Sequence, residues 1–137
     1  MSLYTNPDDR YKNIKKEGSY KTSAAKITIG TISGYDLKDK KSVGISEFME
    51  TLANIQLKIS GIYIPFVITK GFVCYTVDGK NVAEPIYILT ARRNPYYDKD
   101  DSIWRNAVNT VAKELKDAYK QETVSVEFSS IDYYVFK

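Results

Sequence analysis

The densest group of side chains able to bind or catalyse is Arg92-Arg93-Asn94-Pro95-Tyr96-Tyr97. Two guanidiniums present planar donor forks that suit a phosphate or a carboxylate, and the phenols beside them add hydrogen bonds and ring faces. Arg92, Arg93, Tyr96 and Tyr97 are therefore candidate ligand or partner contacts, and so is the pair Tyr133-Tyr134 near the C-terminus. A polar strand end accounts for the first four residues without any ligand. Next stands Asp98-Lys99-Asp100-Asp101, with carboxylates of the kind that magnesium or calcium takes. An EF-hand loop would also need a turn glycine and a distant glutamate, so the aspartates are assigned to capping a helix. Glu84-Pro85 reads as a solvated turn, because no second carboxylate at a defined spacing accompanies it.

The chain has no histidine and one cysteine, Cys74. Ser-His-Asp and Cys-His nucleophile systems and histidine-ligated metals each need an imidazole, so those chemistries are excluded. Cys74, in Phe72-Val73-Cys74-Tyr75, is expected to be a small buried apolar group. Gly30 and Gly34 belong to no Gly-x-Gly-x-x-Gly or Gly-Lys-Ser/Thr loop, so nucleotide binding by those routes has no support. No metal and no cofactor is expected.

The net charge of +3 comes from 20 basic and 17 acidic groups and implies neither nucleic acid nor a membrane surface by itself. Residues 1–41 carry nine of the basic and five of the acidic groups, so the basic excess is N-terminal. Residues 1–25 read as a polar arm in which Arg10, Lys12, Lys15, Lys16 and Lys21 alternate with tyrosines, a pattern that could follow a nucleic-acid strand. Residues 26–137 read as one domain, a size for which a single core suffices. No run approaches the ~20 apolar residues that span a bilayer, so no membrane partner is expected. The location reads as cytoplasmic, or secreted if the Met-Ser-Leu start replaces a leader.

These groups need elements to hold them. Ile27 and Ile29 alternate with Thr28 and Gly30 in a first strand from Lys26 to about Tyr35. Ile45, Phe48, Met49, Leu52, Ile55 and Ile59 recur at helical spacing, with Ser60-Gly61 as the stop. Three strands follow at Ile62–Thr69, Phe72–Val77 and Pro85–Ala91, with Lys70-Gly71 as a tight turn and Asp78-Gly79 as a hairpin. Pro65 places the first of them at an edge or gives it a bulge. Trp104, Val108, Val111, Leu115 and Ala118 form the stripe of a second helix, and Val124, Val126 and Phe128 a closing strand that Ile131–Phe136 continues or pairs with. The economical fold is α+β and ferredoxin-like, or a variant with an extra hairpin: an antiparallel sheet with both helices on one face.

Two resemblances follow from these segments. Ile27-Thr28-Ile29-Gly30-Thr31-Ile32 and Lys70-Gly71-Phe72-Val73-Cys74-Tyr75 are similar in rhythm to the two signatures of the RNA-recognition motif, but Thr28 and Cys74 stand where that family stacks rings. Gly30, Ser46-Glu47-Phe48, Asp78-Gly79, Val82-Ala83-Glu84-Pro85 and Ala118–Val124 resemble, in that order, an uncharacterised bacterial family of strand-helix-strands-helix-strand order. This second resemblance implies a fold and no activity.

Twelve tyrosines favour contact surfaces. The function expected from the residues is thus a non-enzymatic protein-interaction or self-assembly domain, with a protein partner or a second copy in a homodimer. The alternatives are single-stranded nucleic-acid binding through the arm, and an enzyme that works without histidine. For the homodimer, alternation sends some of the rings Tyr63, Tyr75, Tyr87, Tyr133 and Tyr134 to the sheet face away from the helices, and of the adjacent Tyr133 and Tyr134 only one can face the core.

Overall fold

The computed structural model describes residues 20–33, 41–59, 62 and 64–134. Its elements run β1 (Tyr20–Gly30), β2 (Ile32–Ser33), β3 (Lys41–Ser42), α1 (Ile45–Lys58), β4 (Val67–Val77), β5 (Lys80–Arg92), α2 (Asp101–Ala118) and β6 (Ser125–Tyr133). The four long strands form one antiparallel sheet in the order β4-β5-β1-β6, and β2 and β3 pair in a small hairpin of their own. With two crossing helices this is the ferredoxin-like arrangement. The extra hairpin lies between β1 and α1.

Alternation decides which side of the sheet is covered. Ala25, Ile27 and Ile29 of β1 and Tyr87, Leu89 and Ala91 of β5 point one way and are buried under Phe48, Leu52 and Ile55 of α1 and Trp104, Val108, Val111 and Leu115 of α2. Both helices therefore pack on one face, as the stripes predict. Two stripe positions depart: Met49 is 54% exposed and Ala118 is exposed, Tyr119 being buried in its place. Tyr119 stacks on Phe48 at 5.8 Å and its hydroxyl reaches Thr51 Oγ1 at 2.8 Å, so the ring closes the seam between the helices. Asp100 caps α2, its carboxylate accepting from Ile103 N at 3.0 Å.

The strand boundaries differ from the sequence reading. β1 starts at Tyr20, so Tyr20–Ala25, assigned to the arm, pair with β6 and β5 instead. Arg10, Lys12, Lys15 and Lys16 lie outside the described residues, as do Tyr63 and Ser60-Gly61. Lys70-Gly71 is no turn: both lie inside one long edge strand, β4, in register with Tyr87 and Ile86 of β5. Asp78-Gly79 is the turn, with φ of 50° and 73°, the pair of positive values a type I′ hairpin needs. Beyond the helices this hairpin runs on uncovered, which leaves Phe72 71% exposed and Cys74 exposed rather than buried.

Candidate functional site

The face away from the helices carries Val67, Val73 and Tyr75 of β4, Glu84, Ile86, Ile88, Thr90 and Arg92 of β5, Ala24, Lys26 and Thr28 of β1, and Glu127, Ser129 and Tyr133 of β6. Ile86 and Ile88 form an apolar middle. Polar groups gather at its two ends, and the eight residue steps of β5 from Glu84 to Arg92 keep those ends about 27 Å apart.

At the hairpin end the type I′ turn sets Val77 opposite Lys80, hence Tyr75 opposite Val82 and Val73 opposite Glu84. Tyr75 and Glu84 are thus diagonal neighbours on one face. The Tyr75 hydroxyl donates to Glu84 Oε1 at 2.7 Å. That bond, with smaller contributions from burial and from the Glu84 charge, raises the phenol above its ordinary value, so it remains a donor throughout neutral pH. Among the described residues no cation stands within ion-pair distance of Glu84. Glu84 is therefore an accessible anion held in place by a neutral donor. Pro85 supports it from behind, where its carbonyl accepts from Thr31 N at 3.0 Å and ties the base of the hairpin to the end of β1.

At the other end Arg92 reaches over the Tyr133 ring, 6.0 Å from its centroid, beside a concavity of about 640 Å³ that Lys26, Thr90 and Glu127 also line. The remaining sequence candidates are not gathered into either end. Arg93 is 9% exposed and structural: its guanidinium meets Asp101 at 3.1 Å and the Asp98 carbonyl at 2.6 Å. Asp101 also accepts from Ser23 Oγ at 2.5 Å and pairs with Arg105 at 2.8 Å. The Ser23 bond first, then Arg105 and Arg93, hold its carboxyl below the usual range against the opposing effect of burial. This cluster pins the start of α2 to β1. Burial works the other way on Asp98 and raises it. Tyr96 and Tyr97 pack edge to face at 4.8 Å in the loop before α2. Tyr134 is 56% exposed past the end of β6. Lys21, a candidate nucleic-acid contact of the arm, is bonded to Asp132 across β1 and β6, which raises its ammonium pKa. Tyr87 faces the helices, its hydroxyl donating to Val43 O at 2.7 Å, so it is not among the rings of the open face. No group of residues able to hold a metal occurs among the described residues, and none of their helices is long and apolar enough to cross a membrane.

Sequence reasoning passed over Glu84. The signal was present in the Asp78-Gly79 turn, which fixes the register and so brings Tyr75 and Glu84 together.

A family model described as SAM lyase matches residues 20–137. The chain belongs to the SAM lyase family. That is a named enzyme family, which replaces the uncharacterised bacterial family of the sequence comparison and its implication of a fold without an activity. It also overturns the non-enzymatic interaction or self-assembly domain: a surplus of tyrosines does not distinguish a contact surface from a catalytic one. Two solved structures share the fold. A phage SAM lyase in complex with S-methyl-5'-thioadenosine is 18% identical, with a TM-score of 0.57 over 90% of this chain and 95% of that one. A phage SAM lyase in the apo state is 22% identical, with the same TM-score over 90% and 94%. No curated protein matches the chain.

Proposed function

We propose that this protein cleaves S-adenosylmethionine without water, releasing S-methyl-5'-thioadenosine, and that Glu84 and Tyr75 form the centre of the cleavage site. The observation that carries the reading is the SAM lyase family match over residues 20–137. The thioadenosine bound to the phage relative supports the choice of bond. Release of that product requires the bond between sulfur and the γ-carbon of the methionine part to break, with its electron pair going to sulfur. The sulfonium charge then vanishes. Since a lyase adds no water, the four-carbon amino-acid fragment must satisfy its own γ-carbon. Attack by its carboxylate oxygen closes a lactone and needs no external base, whereas loss of a β-proton would leave an alkene and require one.

Glu84 suits the sulfonium, because an accessible carboxylate with no cationic partner among the described residues attracts a positive substrate. Tyr75 fixes the carboxylate's orientation and supplies a ring face, on which a cation also rests favourably. Neither role needs histidine, metal-ligand clusters or a thiolate. Histidine is absent from the chain, so its scarcity of classical catalytic groups is compatible with a substrate that carries its own leaving group.

The test is incubation of purified protein with S-adenosylmethionine in ¹⁸O-labelled water, followed by mass spectrometry. Appearance of S-methyl-5'-thioadenosine with an unlabelled four-carbon co-product is expected. Label in the γ-hydroxyl of the co-product, as opposed to the carboxyl group that later opening of a lactone labels, would make the reaction a hydrolysis and overturn the lyase reading, as would the absence of thioadenosine.

A further inference from the structure

The concavity at the far end of the open face is unused by the cleavage site. Its origin is local: Ala24 stands in register between Arg92 of β5 and Ser129 of β6, so a row of two small residues runs beside the longer chains of the next row, Thr90, Lys26 and Glu127. The trough this leaves measures about 640 Å³ and is lined by Lys26, Thr90, Arg92, Glu127 and Tyr133. Such a volume suits a small ligand. Its charges are not spent on one another. Among the described residues no ion pair ties up Lys26, Arg92 or Glu127, although Lys26 and Glu127 are direct cross-strand partners. Arg92 is steadied instead by the Tyr133 ring. Two cations therefore flank one side of the trough, and a carboxylate closes it beyond Lys26.

From this we infer that the trough is a second binding site, for a small α-amino acid in its zwitterionic form. The ligand carboxylate lies between the Arg92 fork and the Lys26 ammonium, and its ammonium group meets Glu127. Thr90 offers a hydroxyl to the carboxylate. A simple anion would satisfy the cations and leave Glu127 repelling it, and a simple cation would meet the opposite conflict, so the zwitterion is the class that fits all three charges. The site lies about 27 Å along β5 from Glu84, too far for one small molecule to touch both ends of the same chain. It is thus separate from cleavage, and the inference does not depend on the reaction proposed above.

Titration of the full chain with L-methionine, followed by backbone amide NMR, tests it. Saturable shifts are expected at Ala24–Lys26, Thr90–Arg92 and Glu127–Ser129. 4-(Methylthio)butanoate, which lacks the ammonium, and 3-(methylthio)propylamine, which lacks the carboxylate, should each bind at least about tenfold more weakly. Arg92→Ala and Glu127→Gln should each abolish the shifts, while release of thioadenosine from S-adenosylmethionine stays at the wild-type rate. Absence of saturable shifts up to about 10 mM methionine would overturn the proposal. So would methionine shifts confined to Tyr75 and Glu84, equal binding of the two single-charge analogues, or loss of cleavage in folded Arg92→Ala, which would make the trough part of the cleavage site.

Discussion

The two faces of the same four strands obey different rules. On the helix side every core position is specified by its neighbours: Ile27, Leu89, Val108, Val111 and Leu115 are 0% exposed, and each was predictable from period and hydrophobicity. On the open side the residues that matter are polar, solvated and few, and what distinguishes them is their position relative to one another. Burial makes a residue legible one at a time, whereas a site is legible only in pairs. Glu84 looked like a turn residue until its partner across the hairpin was known.

The largest effect belongs to the covered face. Leu115→Ala removes a fully buried side chain between α2 and the sheet and should cost about 2–5 kcal/mol, from lost transfer free energy and from the cavity left behind. Chemical denaturation measures it directly. A loss below about 0.5 kcal/mol would mean that the helix side is no more closely specified than the open side, and the contrast between the faces would collapse.

Glu84→Gln is the matching change on the open face. It keeps the shape and the hydrogen bond from Tyr75 but removes the charge, so cleavage should fall about 100-fold while the denaturation midpoint scarcely moves. Retention of more than half the wild-type rate would move the cleavage site away from the hairpin. A large drop in stability would make Glu84 a structural residue.

Between the extremes lies the cluster around Asp101, where a charged group does a core residue's work. Asp101→Asn weakens the tie to Arg93, which is nearly buried, although Asp101 itself keeps a side chain 41% exposed; a loss of about 1–2 kcal/mol, between the surface and buried limits, is expected. The sign with pH follows from the lowered carboxyl pKa: the contribution is present above the ordinary aspartate value of 3.8 and is lost as pH falls through the lower, folded value. Wild type and Asp101→Asn should therefore converge in stability as pH falls below 3.8. Midpoints that stay equally far apart at pH 2.5 and at pH 7 would show that the effect is not one of charge.

How much of this could be read from the chain depends on the physics that each feature uses. The second helix, its Asp100 cap and the I′ turn follow from local chemistry, and the sheet order follows from packing two stripes on one face. Lys70-Gly71 misled because glycine marks turns but also occurs inside strands, and only the long register with β5 separates the two. Met49 and Cys74 misled for other reasons: Met49 lies one position round the helix from the buried Phe48, at the rim of the stripe, and Cys74 lies on the hairpin where it runs on past the helices. The roles of Arg92 and Arg93 could not be told apart, since adjacent residues on a strand face opposite sides and only one side has Asp101 on it.

The smallest expected effect is the sharpest test of the hairpin pair. Tyr75→Phe keeps the ring and deletes only the hydroxyl that orients Glu84, so the rate should fall about threefold to tenfold, less than on removing the charge itself. A hydroxyl on the surface adds little to stability, so unfolding should be unchanged. The pH profile then separates orientation from simple ring packing. In the wild type the phenol's pKa is raised above 10.0, first by its bond to Glu84, so that bond is intact below the ordinary tyrosine value and fails as pH rises through the higher, folded value. Ionised Tyr75 would also repel Glu84. Wild-type cleavage should therefore decline above about pH 10 towards the rate of Tyr75→Phe, while the variant, with nothing to ionise there, shows no decline from this source. Parallel profiles for the two proteins would show that the hydroxyl does not orient the carboxylate, and would leave Glu84 to act without it.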